Sequence, residues 1–396
     1  MTLDLAGLTG DLNKMSETLA QLDKARRTLL EIALERLRKY AHALDEVNAK
    51  VQLTRDKNLH WRGAYPAAEE ALDSRIPCPE MPPQANIIAN DGSQVPIDRH
   101  AAALYYALNI GHIVYAYGDD VPPTVGTQPS LHFHDHELFD DNHRPISNAV
   151  VNARRTVLEM QSLATLAEGF AGQEPPMAVL SDGPLMWVQP GDTPQERQRN
   201  LEPYLENLAR LKVSGAALAG YVDRPGSTGV ISLLHLANLE SDEITKESVA
   251  RPDLVGLLDA RLFGELLRPG ERSALFVRQS PTNKFYASKG QEIWHCYDNV
   301  SQDAQPMIVR MEMPGWVALD PTRRDLLHAT VWQQCRVIGG YPYVLARAHE
   351  LALISTDERR SLEEMVIGAL RRRGVDAQPS NKARQKALTG GARRRY

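Results

Sequence analysis

The sequence predicts an α/β fold, a mixed sheet flanked by helices, with an N-terminal helical arm in front of it. Three observations carry this reading. Two short apolar runs, Asn86 to Ala89 and Met177 to Leu180, each lead into an Asp-Gly pair, as strands entering turns do. Between them, Ala149, Val150, Ala153, Val157, Met160, Leu163, Ala164 and Ala167 recur at helical spacing across Asn148 to Gly169. From Met15 to about Leu59 there is neither Pro nor Gly, and Leu19, Leu22, Ala25, Leu29, Ala33, Leu37 and Tyr40 repeat every three or four residues.

That last stretch, continued by Leu44 and Val47, predicts one long amphipathic helix. Its length suits either a helix partner within the domain or a coiled-coil contact with a second subunit. The Pro-rich run Ile76 to Pro83 then separates an arm, residues 1–75, from a body that begins near residue 84. In the body, Leu108 to Tyr117 reads as a further strand. Helical segments are expected at about 196–219 and 251–267, with a strand between them at Gly229 to Leu234. Ile308 to Met313 and Trp316 to Leu319 read as a strand pair. Tyr343 to Ser355 and Thr356 to Arg373 read as two helices, the second with Asp357 and Glu358 at its start and arginines at its end, as the helix dipole favours. No internal repeat is present. The body is expected to end near residue 370, followed by a flexible basic tail over 371–396.

Composition narrows the class. The 396 residues are 43% hydrophobic and 24% charged, which excludes a disordered, collagenous or disulfide-rich chain. The net charge of −5 is uneven. The last 26 residues hold nine Lys/Arg and one Asp, while the rest carry 36 basic against 49 acidic residues, a net −13. Ala101 to Tyr117 is the nearest thing to a membrane span, and Asn109, Gly111 and His112 interrupt it. The N-terminus has no basic start followed by an apolar stretch, so a cytoplasmic location is expected. Cys78, Cys296 and Cys335 are odd in number and far apart, a pattern of neither disulfides nor a thiolate zinc site.

The two Asp-Gly strand ends, Asp91 and Asp182, place carboxylates where ligands bind at the lip of a sheet. Either pair alone is also an ordinary turn. Glu159, flanked by Val157, Leu158 and Met160, sits at the boundary of the buried helix face and needs a partner. Together the three acids would form a hard-oxygen cage for Mg²⁺ or Mn²⁺, in which a pair of ions roughly 4 Å apart activates water against a phosphodiester. Arg155, one turn before Glu159, either pairs with that acid or touches a phosphate. His132, His134 and His136 alternate and would share one strand face, which exposed polar positions also explain. Arg268, Arg272, Arg278 and Lys284 are candidates for a DNA path, with Phe285 or Tyr286 as base-stacking groups. Ser93 lies outside any Gly-x-Ser-x-Gly elbow and is expected to shape the metal site rather than to act as a nucleophile.

Taken in order, Asp91 to Pro96, Leu108 to Ile113, Arg155 with Glu159, Leu180 to Leu185, Gly220 to Pro225, Leu267 to Ser273, Arg310 to Pro314 and Gly340 to His349 resemble the NurA nuclease family over about residues 84 to 370. The resemblance implies a ribonuclease H-like fold and a homodimeric ring around a DNA channel. It implies a Mn²⁺-dependent 5′-to-3′ exonuclease, with Mg²⁺ as the alternative ion, one or two ions per site, and some single-strand endonuclease activity. It also implies a HerA-type hexameric translocase as partner in double-strand break end resection. Carried over by residue, it makes Asp91, Glu159 and Asp182 the metal-binding acids, His349 the fourth member of the site, and Tyr341 a functional tyrosine. A neutral histidine such as His349 can ligate an ion or relay a proton to the leaving 3′-oxygen. Two rival readings stand beside this one: a non-catalytic DNA-binding clamp subunit that stimulates a translocase, and a ribonuclease H-like nuclease of RNA or hybrids.

Overall fold

The computed structural model describes residues 5–67, 69–187 and 194–375; of the tail expected over 371–396, Arg371 and Arg372 end a helix instead, and the residues beyond 375 lie outside the described ones. The chain forms two compact units, one of residues 81–182, 187–219 and the segment from Pro342 on, the other of 1–80, 183–186 and 220–341.

In the first unit, strand β1 (Ala85–Val95) runs antiparallel to β2 (Tyr106–Tyr117), which runs antiparallel to β3 (Thr124–His132). Helix α1 (Asn148–Glu168) leads to β4 (Met177–Asp182), which lies parallel to β1, Asn86 facing Met177 through to Asn90 facing Ser181. Helix α2 (Pro194–Ser214) then leads to β5 (Ala217–Val222), which neighbours β4. The order β5-β4-β1-β2-β3, with helices after the third and fourth strands, is the ribonuclease H-like arrangement and bears out the expected fold class. The first six residues of β1 are all buried, as a central strand requires. The Ser147 hydroxyl caps α1 by accepting from the Val150 N–H. Val150, Ala153, Met160, Leu163, Ala164 and Ala167 of the expected face are all buried.

Helices α3 (Tyr343–Ala352) and α4 (Thr356–Arg372) complete this unit. Ser355 and Glu358 form a reciprocal capping box that fixes the start of α4. Helix α3 approaches β2 so closely that a Cβ on Gly111 would lie 2.4 Å from the Ala352 nitrogen. Only glycine leaves room for that backbone contact.

The second unit corrects several expectations. The arm is two helices, Thr9–Lys39 and Leu44–Asp56, instead of one. The helical ladder breaks because the Ala41 carbonyl accepts from the Leu72 N–H, 2.9 Å away. Nor does the arm stand apart: Leu30, Ala33, Leu37, Val47 and Val51 share a core with Val230, Leu233, Leu262 and Phe276. Gly229 to Leu234, expected as a strand, belongs to helix Gly229–Asn238, an apolar run buried so fully that periodicity cannot separate helix from strand. Within 251–267 only Asp259–Leu266 is helical. Ile308–Pro314 is a strand, but Trp316 lies in helix Gly315–Ala318, and the true antiparallel partner is Ile293–Asn299. Ala64–Pro66 and Phe276–Arg278 extend that sheet on one side, and residues Gly220–Val222 of β5 pair with Ile308–Pro314 on the other. No helix among the described residues is long and apolar enough to cross a membrane.

Candidate active site

Asp91, Glu159, Asp182 and His349 all belong to the first unit. Asp182 ends β4 as expected, and its side chain is exposed. Asp91 differs, because β1 runs on to Val95. What ends at Asn90 is the parallel pairing with β4, so Asp91 still lies at the lip between those two strands while the hairpin with β2 continues.

Successive residues of a strand point to opposite faces. Asp91 turns toward α3, where its Oδ2 lies 2.6 Å from His349 Nδ1, and its Oδ1 accepts from the Gly92 N–H at 2.7 Å. Asn90 and Gly92 turn toward α1. The Asn90 side-chain amide donates to the Glu159 carbonyl at 2.6 Å. A Cβ on Gly92 would stand 2.3 Å from Glu159 Oε1, so this glycine leaves the space that the carboxylate uses. Ser93, expected to shape the metal site, donates its hydroxyl to the Ala352 carbonyl and ties β1 to the helix that carries His349.

Burial pushes the Glu159 carboxyl up to about 7. Arg155, whose Nε lies 3.1 Å from Oε1, pulls it down, and the negative charges of Asp91 and Asp182 raise it again. The i,i+4 salt bridge is therefore the role of Arg155 in this structure. The three acids thus feel one another, yet among the described residues no three His, Cys, Asp or Glu side chains are grouped to hold one ion as they stand. Asp91 is turned to His349 and Glu159 to Arg155. By donor chemistry the set suits a divalent cation: hard oxygens, mutual repulsion, and a mostly buried carboxylate whose charged form needs a neighbouring positive charge.

A profile of the NurA domain matches residues 85–354, about two thirds of the chain. The chain belongs to the NurA family of nucleases. Two solved NurA structures are similar to it: the nuclease from Sulfolobus solfataricus, 14% identical, covering 84% of this chain and 94% of its own with a TM-score of 0.49, and a second NurA, 15% identical, covering 92% and 98% with a TM-score of 0.41. The type 1 ribonuclease H named LC9-RNase H1 is 10% identical over 40% of this chain and 72% of its own, with a TM-score of 0.22. No curated protein sequence matches at a significant level.

The other site residues expected of a NurA nuclease distribute differently. Tyr341 falls in the second unit, edge-on to the ring of Tyr221 at 5.4 Å. Arg272 is only 2% exposed and forms a two-point ion pair with Glu70, so it is structural and cannot meet DNA. Glu70 lies some 200 positions away, and nothing local in the sequence signals the pairing. Lys284 and Arg268 are exposed, as is Phe285, whereas Tyr286 is fully buried and cannot stack on a base. His132, His134 and His136 share no strand face: the strand ends at His132, which bonds Glu137 at 2.7 Å, and a short helix, Asp135–Leu138, follows. Sequence reasoning missed Asn90 and Gly92. The signal was their place beside Asp91, where a turn was expected and a strand runs.

Proposed function

We propose that this NurA-family nuclease is a divalent-metal-dependent deoxyribonuclease, a 5′-to-3′ exonuclease with some single-strand endonuclease activity. The reading includes Mn²⁺ as the preferred ion, one or two per site, action as a homodimer on DNA, and partnership with a HerA-type hexameric translocase in end resection. The observation that carries the metal dependence is electrostatic. Asp91, Glu159 and Asp182 are close enough for two of them to raise the third, and a phosphodiester entering three carboxylates is repelled unless a cation intervenes.

Asp91, Glu159 and Asp182 would hold the ion, which, when bound, supplies positive charge to the phosphate oxygens and lowers the pKa of the attacking water. Arg155 orients Glu159 and offsets its charge in the ion's absence. Asp91 holds His349 by one ring nitrogen. The other nitrogen, on a side chain 58% exposed, is the group available to pass a proton to the departing 3′-oxygen. Family membership supports the 5′-to-3′ direction, the Mn²⁺ preference and the translocase partner. The stripe Leu12, Met15, Leu19 and Leu22, at heptad spacing and exposed on helix Thr9–Lys39, supports a coiled-coil contact with a second copy.

The test is cleavage of end-labelled single- and double-stranded DNA, RNA and hybrid with Mn²⁺, Mg²⁺ or chelator. Asp91→Asn, Glu159→Gln and Asp182→Asn are each expected to abolish Mn²⁺-dependent DNA cleavage in a folded protein. Full activity in all three would refute the assignment. DNA and translocase binding by a wild type that never hydrolyses would leave the clamp reading in its place.

A further inference from the structure

The second unit contains a cavity of about 340 Å³ whose wall carries three arginines, two of them without an ion pair among the described residues. Arg62, Arg278, Arg310 and His295 all line it. Arg62 and Arg278 make no ion pair or side-chain hydrogen bond among the described residues, and both are exposed. Arg310 reaches Glu312 through Nη2 at 2.7 Å, but its Nε is buried without a hydrogen-bond partner. His295 is 7% exposed, and neither ring nitrogen has a hydrogen-bond partner among the described residues.

Two carboxylates also line the wall, and both already have partners: Glu312 offsets Arg310, and Asp259 is held by groups of the fold. Glu312 divides itself between Arg310 and the Met186 N–H. Asp259 accepts from the Ile231 N–H at the start of helix Gly229–Asn238 and from the Tyr297 hydroxyl at 2.7 Å. The buried Arg310 Nε and the His295 ring face the cavity with hydrogen-bonding capacity that the fold leaves unused, and two exposed guanidinium groups beside them add positive charge, a setting that an anion completes.

We propose that this cavity is a binding site for a phosphate monoester, the size of a mononucleotide. Guanidinium forks match the oxygens of a phosphate in a way that point charges do not. The volume exceeds what one phosphate fills, at roughly 30 Å³ for each displaced water, and leaves room for an attached nucleoside. Burial, together with the charges of Arg310 and Arg278, holds the His295 ring neutral, well below its ordinary pKa, so it offers one N–H. The inference goes beyond the nuclease reading and does not depend on it.

The same chemistry is presented by a free nucleotide and by a phosphorylated DNA end. The full chain, in chelator so that no cleavage occurs, is titrated with inorganic phosphate, dAMP, and one oligodeoxynucleotide carrying either a 5′-phosphate or a 5′-hydroxyl. Saturable binding of dAMP assigns the free nucleotide. A preference for the 5′-phosphorylated strand assigns the DNA end. In either case Arg62→Ala or Arg278→Ala, both exposed and unpaired, is expected to weaken binding about tenfold to a hundredfold. His295→Phe, checked for folding by circular dichroism, is expected to weaken it as well. Absence of binding by every probe, equal binding of the two oligonucleotides without dAMP binding, or unchanged affinity in both arginine variants would overturn the proposal.

Discussion

Gly92→Ala tests whether the position of one carboxylate, rather than its mere presence, sets the activity. The new Cβ would stand 2.3 Å from Glu159 Oε1 and 2.8 and 2.9 Å from Cγ and Cδ of Arg155. An ordinary contact needs about 3.4 Å, so the carboxylate must retreat by about 1 Å, and a displacement of that size costs roughly 100-fold in rate. Stability should respond differently. The obstructing atoms are the end of the Glu159 side chain and the mid-chain Cγ and Cδ of Arg155, side-chain and not backbone atoms; Gly92 has no positive φ, and replacing glycine with alanine there gains about 0.4–1 kcal/mol from the unfolded chain. That gain offsets an off-rotamer cost of about 1 kcal/mol. The expected outcome is a fall of about 100-fold in single-turnover cleavage of end-labelled DNA, with a Tm within about 3 °C of wild type. Full activity would show that Glu159 does not act from this position. A large drop in Tm would show that the missing side chain serves packing.

Gly111→Ala is the counterpart: its Cβ would meet backbone atoms of α3, which cannot swing aside, so a stability loss of about 1–3 kcal/mol is expected by chemical denaturation, and none would contradict the close approach. Burial raises the Asp298 carboxyl to about 7, with Arg272 opposing. Because the folded value exceeds the unfolded one, the associated stability is present below about pH 4 and lost as pH rises through 7. The Tm difference between Asp298→Asn and wild type should therefore shift in favour of the variant from pH 4.5 to 8; a difference independent of pH would refute this. For the dimer, Met15→Glu with Leu19→Glu should give a monomer by light scattering, whereas removing the whole arm would take Leu30, Leu37 and Val47 from the core and unfold its unit. Mn²⁺ should raise the Tm of wild type and raise that of Asp182→Asn less; equal shifts would place the ion elsewhere.

How much of this was legible follows from where the signals live. The helix over Asn148–Glu168 was readable because its buried face has the helical period, and Asp182 because its strand ends at the turn that follows. Asp91 was found for a reason only half right: Asp-Gly marked a turn, while the glycine serves the side chain of a residue 67 positions later. The break after Lys39 was invisible, since its cause is a carbonyl claimed by Leu72. Strand Ile293–Asn299 was also invisible. All seven of its residues are buried, polar and apolar alike, so it has no alternation to detect. Of its buried histidine, aspartate and asparagine side chains, two have partners inside the fold: Asn299 donates to the Leu267 carbonyl, and Asp298 accepts from the nearby Cys296 thiol and feels the charge of Arg272. His295 alone among the three has no such partner, and it is the one that lines the cationic cavity. The buried polar residues that hide this strand from periodicity thus include the one whose ring faces a cavity instead of a hydrogen-bond partner of its own fold.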